Sequence, residues 1–368
     1  MARALIIGGG AIGRGFVPWV LDEFEIDILD ASTNLVNGIA SQGGYFSFMS
    51  DGEQLHEKWV RVRCIATSFK QLGPLHYDVA FISVGPRNTK SLPFGVEKLQ
   101  CPIFSLENDP ITVEWIKETY GLEAVYFGVP DVITSSTASA ESLARDPHAI
   151  HTEDGVLYLQ RPPKLTPSLE KLLPQVHWLP VERLNQEWDA KLYIHNTPHC
   201  IAAYLGHMAG CTYLHEALAK PAIKRVINGV IDELVCALKM VTPYDHHFIE
   251  SYAVKEVRRF SNTLLFDPVS RVAREPLRKL HPSGRLTGAL RLLLLAGVNP
   301  TYLMAGIAAA LCYSEKKDRD YLQLSELGEF GISSFLKYHL GLDEKSIESE
   351  YICKNYPDAL SFLNREIV

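Results

Sequence analysis

Four apolar residues, Ala4-Leu5-Ile6-Ile7, run without a break into Gly8-Gly9-Gly10-Ala11-Ile12-Gly13-Arg14-Gly15-Phe16. A short β-type run ending in glycines at G-x-G-x-x-G spacing, with a helix-like apolar stretch behind it, is the start of a dinucleotide-binding sheet. The first glycine permits the tight bend, the second lets backbone approach a pyrophosphate, and the third lets the helix pack on the strand. Gly8, Gly10, Ala11, Ile12 and Gly13 are the cofactor contacts expected of this turn. Asp30 closes the next apolar run, where an acid accepts hydrogen bonds from ribose hydroxyls. The residues after it, Ala31-Ser32-Thr33-Asn34, carry no cation for a 2′-phosphate, which favours NAD over NADP. A second glycine turn, Ser83-Val84-Gly85-Pro86, ends a further apolar run and offers Val84 and Gly85 to the cofactor.

The first half of the chain alternates short apolar runs (ALII, FEIDILD, DVAFISVG, PIFSLEN) with segments long enough to cross over, such as Gly13 to Leu21 and Thr112 to Tyr120. Strands alternating with helical crossovers imply a parallel sheet with helices on its faces. From Trp188 on, apolar residues recur at three- and four-residue steps and the sequence is nearly all helix-like. The expected organisation is a dinucleotide-binding α/β domain over residues 1–180 and a mainly helical substrate domain over 181–368.

The stretch DAKLYIHNTPHC places Lys191, Asn196 and His199 within about 140° of one helical face. Oxidation of an alcohol needs a base for the hydroxyl proton and donors for the developing alkoxide. A lysine can be that base where its surroundings lower its pKa, and an amide NH₂ donates to the oxygen as alcohol and as carbonyl. The same residues also fit a plain helix start, with Asn196 or Thr197 capping and Pro198 at the first helical position.

The pattern K-x-x-x-x-N-x-x-H followed by AAYLGHMAG resembles the active-site helix of the polyol-specific long-chain dehydrogenase/reductase family. GGGAIGRGF, SVGP, LEN, RRFSN, RVAREPLRKL and AGIAAAL are similar to that family in the same order. The chain's length is closest to that of its compact, phosphate-using branch. The resemblance implies an N-terminal Rossmann-like doubly wound sheet, a C-terminal all-α substrate domain, and NAD as cofactor. It implies metal-independent interconversion of a phosphorylated sugar alcohol and its ketose phosphate, most simply D-mannitol 1-phosphate and fructose 6-phosphate. Lys191 is then the general base, Asn196 and His199 orient the substrate oxygen, and Asn108 is a second amide at that oxygen. The basic segment REPLRKLHPSGR, which holds Arg274 and Arg285, nominates Arg278 and Lys279 as phosphate contacts.

Three stretches depart from the family. DVITSSTAS stands where the family carries V-D-R-I, Pro198 stands where it has a small residue, and SGRL replaces G-D-R-L. Two alternatives therefore stay open: a reductase of an unphosphorylated polyol or hexuronate, and a non-catalytic NAD(H)-binding sensor.

A net charge of −7 gives no reason to expect nucleic acid or an anionic membrane as partner. Seven scattered cysteines without a C-x-x-C pair fit a reducing compartment, and the apolar stretches fall short of a membrane span. A cytoplasmic enzyme is expected, monomeric or a small homo-oligomer. Asp245-His246-His247 is expected to be a solvated loop and no metal site.

Overall fold

A computed structural model describes residues 2–135, 137–260 and 262–367. Ser136 and Ser261, members of the DVITSSTAS and RRFSN stretches, lie outside the described residues. The chain divides into two compact units, Met1–Trp188 with Leu264–Phe266, and Asp189–Thr263 with Asp267–Val368.

The first unit is built on a ten-stranded sheet. Its strands are β1 (Ala2–Ile7), β2 (Phe24–Leu29), β3 (Gly44–Ser50), β4 (Leu55–Ala66), β5 (Val79–Ile82), β6 (Ile103–Ser105), β7 (Val125–Asp131), β8 (Ile150–Glu153), β9 (Val156–Gln160) and β10 (Val176–Leu179). They lie in the order β10-β9-β7-β6-β5-β1-β2-β4-β3-β8. β1 pairs in parallel with β2 on one side and β5 on the other, setting Ile6 beside Ile28 and Phe81. All three side chains are fully buried. Strands covered on both faces carry unbroken apolar runs, which is why ALII and VAFI do not alternate. The chain goes from β1 to β2 on one side and returns to β5 on the other. The carboxyl end of β1, where the glycines begin, is thus the topological switch point at which such sheets bind ligands.

Two sequence expectations need correction. The sheet is mixed, because β3 pairs with β4 and β7 with β9 antiparallel. β3 and β4 are joined at Asp51-Gly52, where Asp51 Oδ1 accepts from the N–H groups of Glu53 and Gln54 at 2.9 and 2.8 Å. The crossover from Gly13 to Leu21 is no regular α-helix. A π-helical turn over Ala11–Phe16 passes into a 3₁₀ turn over Val17–Val20, with Pro18 at its start.

The second unit is helical. In Pro221–Val241 the residues Ile223, Val226, Ile227, Val230, Ile231 and Leu234 are buried at three- and four-residue steps, as an amphipathic pattern requires. Helix Thr197–Met208 is held against Thr301–Leu311 at Gly306, where a Cβ would stand 2.5 Å from the Ile201 side chain. Only glycine allows that approach, and it seats the helix that carries His199. The stretch RVAREPLRKL is broken into Val269–Ala273 and Pro276–Leu280 around Glu275. At φ 55° Glu275 is the only non-glycine residue with positive φ among the described residues. No helix among the described residues is long and apolar enough to cross a membrane.

Candidate active site

The glycine turn leaves the end of β1 with Gly8 at φ 101°. A Cβ there would meet the Ser83 carbonyl oxygen at 2.4 Å, and one on Gly13 would meet the Gly8 carbonyl oxygen at 2.0 Å. Both glycines are demanded by the protein's own packing. Gly10 differs: a Cβ on it would meet nothing nearer than Ser83 O at 4.0 Å. The backbone at Gly10 is open on the side where a ligand phosphate would come close. Ala11 and Ile12 beside it are half-buried, and Gly13 is buried.

Asp30, immediately after β2, is tied to this turn. Its Oδ2 accepts from Gly9 N–H at 2.7 Å and its Oδ1 from Ser32 N–H at 2.8 Å. Ser32 in turn caps helix Thr33–Gln42, its side chain accepting from Leu35 N–H. The acid is thereby fixed at the strand end, with lone pairs left on each oxygen.

At the second glycine turn, Glu107 Oε1 accepts from the N–H groups of Val84 and Gly85 at 2.7 and 3.0 Å. Those two donors are occupied, so Val84 and Gly85 offer a ligand backbone surface and not hydrogen bonds. Burial pushes the Glu107 carboxyl up to about 7, against the two N–H bonds that favour its ionised form. Asn108, next to it, is exposed in the bend three residues beyond the end of β6.

Lys191 and Asn196 do not sit on an ordinary α-helix. Helix Val181–Ala190 passes into a π-helical turn over Lys191–Asn196, and α-helix resumes over Thr197–Met208. A π turn bonds residues five apart. Asn196 therefore stands over Lys191 along the helix instead of about 140° around it. Pro198 explains the widening: it has no N–H to give, and both Thr197 donors turn back to Leu192 O, the hydroxyl at 2.8 Å. The helix-start alternative fails here, because Asn196 has helical φ and ψ and makes no side-chain cap. π turns of this kind are frequent at functional sites.

Lys191 and Asn196 are buried, at 3% and 6% exposure. The Asn196 amide nitrogen has no hydrogen-bond acceptor among the described residues. A buried NH₂ without a partner costs free energy unless something outside the chain accepts from it. His199 faces Asp267, with Nε2 3.4 Å from Oδ2, and Asp267 is in turn held by Arg271 at 2.6 Å. Burial pushes the His199 pKa down, and Asp267 only partly opposes it. Burial thereby favours the neutral imidazole, whose Nε2 faces the Asp267 carboxylate.

The proposed phosphate contacts part company. Arg278 donates from Nε to Glu275 at 2.8 Å, and its terminal nitrogens have no protein acceptor among the described residues. Lys279 is buried, and its ammonium donates to Tyr204 Oη, Val272 O and Arg274 O at 3.1, 2.5 and 2.7 Å. All three donors are used, so Lys279 is a strut inside the helical unit and has none left for a phosphate. Asp245, of the Asp-His-His stretch, is the N-cap of helix His246–Arg259, its carboxylate accepting from His247 N–H at 3.0 Å.

Sequence reasoning missed several residues of this cluster. His195 Nδ1 is hydrogen-bonded to the buried carboxylate of Glu256, and its ring lies 5.3 Å from that of His199. Phe260 stacks parallel to His199 at 5.7 Å. Arg285 donates to the carbonyl oxygen of Asn196. In the first unit, Ser135 of the departing DVITSSTAS stretch donates to Phe266 O at 2.7 Å. Only Arg285 and the LEN and RRFSN stretches carried a signal; the other partners are set by distant chain crossings.

The helical half defines the class. Residues 187–327 match the family described as the mannitol dehydrogenase C-terminal domain, and with the full-length relatives given below this makes the chain an oxidoreductase of the mannitol dehydrogenase type. The fold is that of Pseudomonas fluorescens mannitol 2-dehydrogenase, solved as a ternary complex with NAD and D-mannitol. That match has a TM-score of 0.75 at 14% identity and covers 99% of this chain and 94% of the other. A substrate-free D-sorbitol dehydrogenase matches with a TM-score of 0.71 at 13% identity, over 100% and 95% of the two chains. The mannitol-1-phosphate 5-dehydrogenase of Clostridium acetobutylicum is 36% identical over 343 residues, 86% of this chain and 88% of the relative. That of Caldanaerobacter subterraneus subsp. tengcongensis is 29% identical over 382 residues, 97% and 98% of the two chains. The chain belongs to the mannitol-1-phosphate 5-dehydrogenase family.

Proposed function

We propose that this chain is an NAD-dependent dehydrogenase interconverting a sugar-alcohol phosphate and its ketose phosphate, D-mannitol 1-phosphate and fructose 6-phosphate being the simplest pair. The observation that carries the reading is the buried amide nitrogen of Asn196, without an acceptor among the described residues, on the same π turn as the buried Lys191. A substrate oxygen is the acceptor it lacks.

The dinucleotide fits the first unit on three counts. The turn lies at the switch point of the sheet, its backbone is open at Gly10, and Asp30 is fixed at the end of β2. Gly8, Gly10, Ala11, Ile12, Gly13 and Asp30 would hold it, with Val84 and Gly85 along its flank. Bound there, it supplies the hydride acceptor or donor.

Lys191 takes the proton of the substrate hydroxyl during oxidation and returns it during reduction. Asn196 donates from Nδ2 to the same oxygen and loses nothing as the oxygen becomes a carbonyl. Asn108 acts as a second amide donor. His199, neutral and held by Asp267, orients substrate and base without adding a charge. Arg278, with its terminal nitrogens unspent, receives the phosphate. The proton chemistry rests on a lysine, and the reading calls for no metal.

Lys191→Ala tests the assignment. Turnover is expected to fall by at least about 10²-fold while NADH affinity is unchanged. A variant that keeps its turnover removes Lys191 as the base.

A further inference from the structure

Arg14 lies inside the glycine turn, between Gly13 and Gly15, and is the only arginine buried among the described residues, at 8% exposure. Its guanidinium donates from Nε to Gly9 O at 3.1 Å and from Nη1 to His148 O, and it lies 5.3 Å from the ring centre of Tyr45. Among the described residues it forms no ion pair; Asp30 and Asp146 act on it only through space. The other arginines that meet acids in this unit differ: Arg3 and Arg63 share Asp27, Arg145 holds Glu57 and Arg161 holds Glu170.

A buried cation without a counter-charge is costly, and two carbonyl oxygens repay only part of its lost hydration. The neighbourhood decides where the missing charge belongs. Arg14 Nε and Asp30 Oδ2 grip the same residue, Gly9, from its carbonyl and its N–H. The next residue, Gly10, is the one with open backbone. The positive charge is thus fixed beneath the segment where a ligand's phosphates would come closest.

We propose that Arg14 is the built-in counter-charge for a diphosphate seated on the Gly8–Gly13 turn, setting affinity for diphosphate-bearing ligands by charge while it positions Gly9. The proposal rests on the dinucleotide reading above. It makes Arg14 a positioning residue that acts through the turn and across a low-dielectric gap, where a full charge is weakly screened.

The test uses the full chain with Arg14→Gln, which keeps donors but no charge, and Arg14→Lys, which keeps the charge on a single nitrogen. Binding of NADH and ADP-ribose is measured by calorimetry, and binding of adenosine by ligand-observed NMR. Arg14→Gln is expected to weaken NADH and ADP-ribose by about tenfold or more and adenosine by less than about twofold, with Arg14→Lys in between. Equal losses for adenosine and ADP-ribose, or no loss for either, overturn the proposal. Should the variants not fold, inorganic pyrophosphate with the intact protein gives the reading. It is expected to raise the melting temperature and compete with NADH, and absence of both overturns the proposal. An intact protein that binds neither NADH nor ADP-ribose refutes the dinucleotide reading instead.

Discussion

Arg285 donates from Nη1 to the backbone carbonyl oxygen of Asn196 across 3.3 Å, and makes no ion pair among the described residues. Burial first, and the nearby Arg278 cation as well, disfavours its charge and pushes its pKa down. The guanidinium thus holds the backbone of the residue whose side-chain amide nitrogen has no acceptor among the described residues, the one proposed to meet the substrate oxygen. Arg285→Met is expected to lower kcat by roughly tenfold with NADH affinity unchanged, a misplaced donor being costly in turnover. Steady-state kinetics beside NADH titration checks this; a pure rise in KM would give Arg285 a binding role instead.

Asn196→Ala separates function from stability. Its donor has no partner among the described residues, so its removal breaks no hydrogen bond there and is expected to cost less than about 1 kcal/mol in denaturant unfolding. Turnover is expected to fall by about 10²-fold or more, as for other preorganised donors at a reacting oxygen. A large stability loss with turnover intact would make Asn196 structural.

Lys279 and Arg278 are neighbours with opposite expected behaviour. Lys279→Met leaves Tyr204 Oη and two carbonyl oxygens without their donor and is expected to destabilise by about 1–3 kcal/mol. The KM for the phosphate ester in the folded fraction stays the same. Arg278→Met is expected to raise that KM by about tenfold with little change in melting temperature.

Glu107 gives the chain a pH signature. The unfolded carboxyl titrates near 4.3, whereas in the folded chain burial raises it to about 7. The folded state binds this proton more tightly, so the group's contribution is complete below about pH 4.3 and is lost as pH rises through about 7. Glu107→Gln removes that slope. Its unfolding free energy is expected to gain on the parent's from about pH 4.3 to 7, by on the order of 4 kcal/mol at most, and then to run parallel. A constant difference over the whole range contradicts this.

What the sequence made legible follows from how local each feature is. The strand–glycine–strand start was readable because β1 and β2 are apolar runs and the glycine spacing is local, Gly13 being forced by the Gly8 carbonyl five residues before it; that Gly8 is forced by Ser83 needed the fold. The β3–β4 hairpin was overlooked although Asp51-Gly52 is a strong turn signal. Lys191, Asn196 and His199 were visible as a spacing, but their helix type was not. Pro198 announced a break, and whether Thr197 would mend it depended on the reach of its hydroxyl to Leu192 O. The partners Glu256 and Asp267 come from remote segments, and the basic segment reads as offering Lys279 to a phosphate because nothing local shows its three acceptors.

The most direct test follows NADH consumption by the purified chain with fructose 6-phosphate, fructose and a hexuronate in parallel. The account predicts turnover with the phosphate ester and none of comparable kcat/KM with the other two. Faster turnover of fructose or the hexuronate, or no turnover of any by a chain that binds NADH, would contradict it.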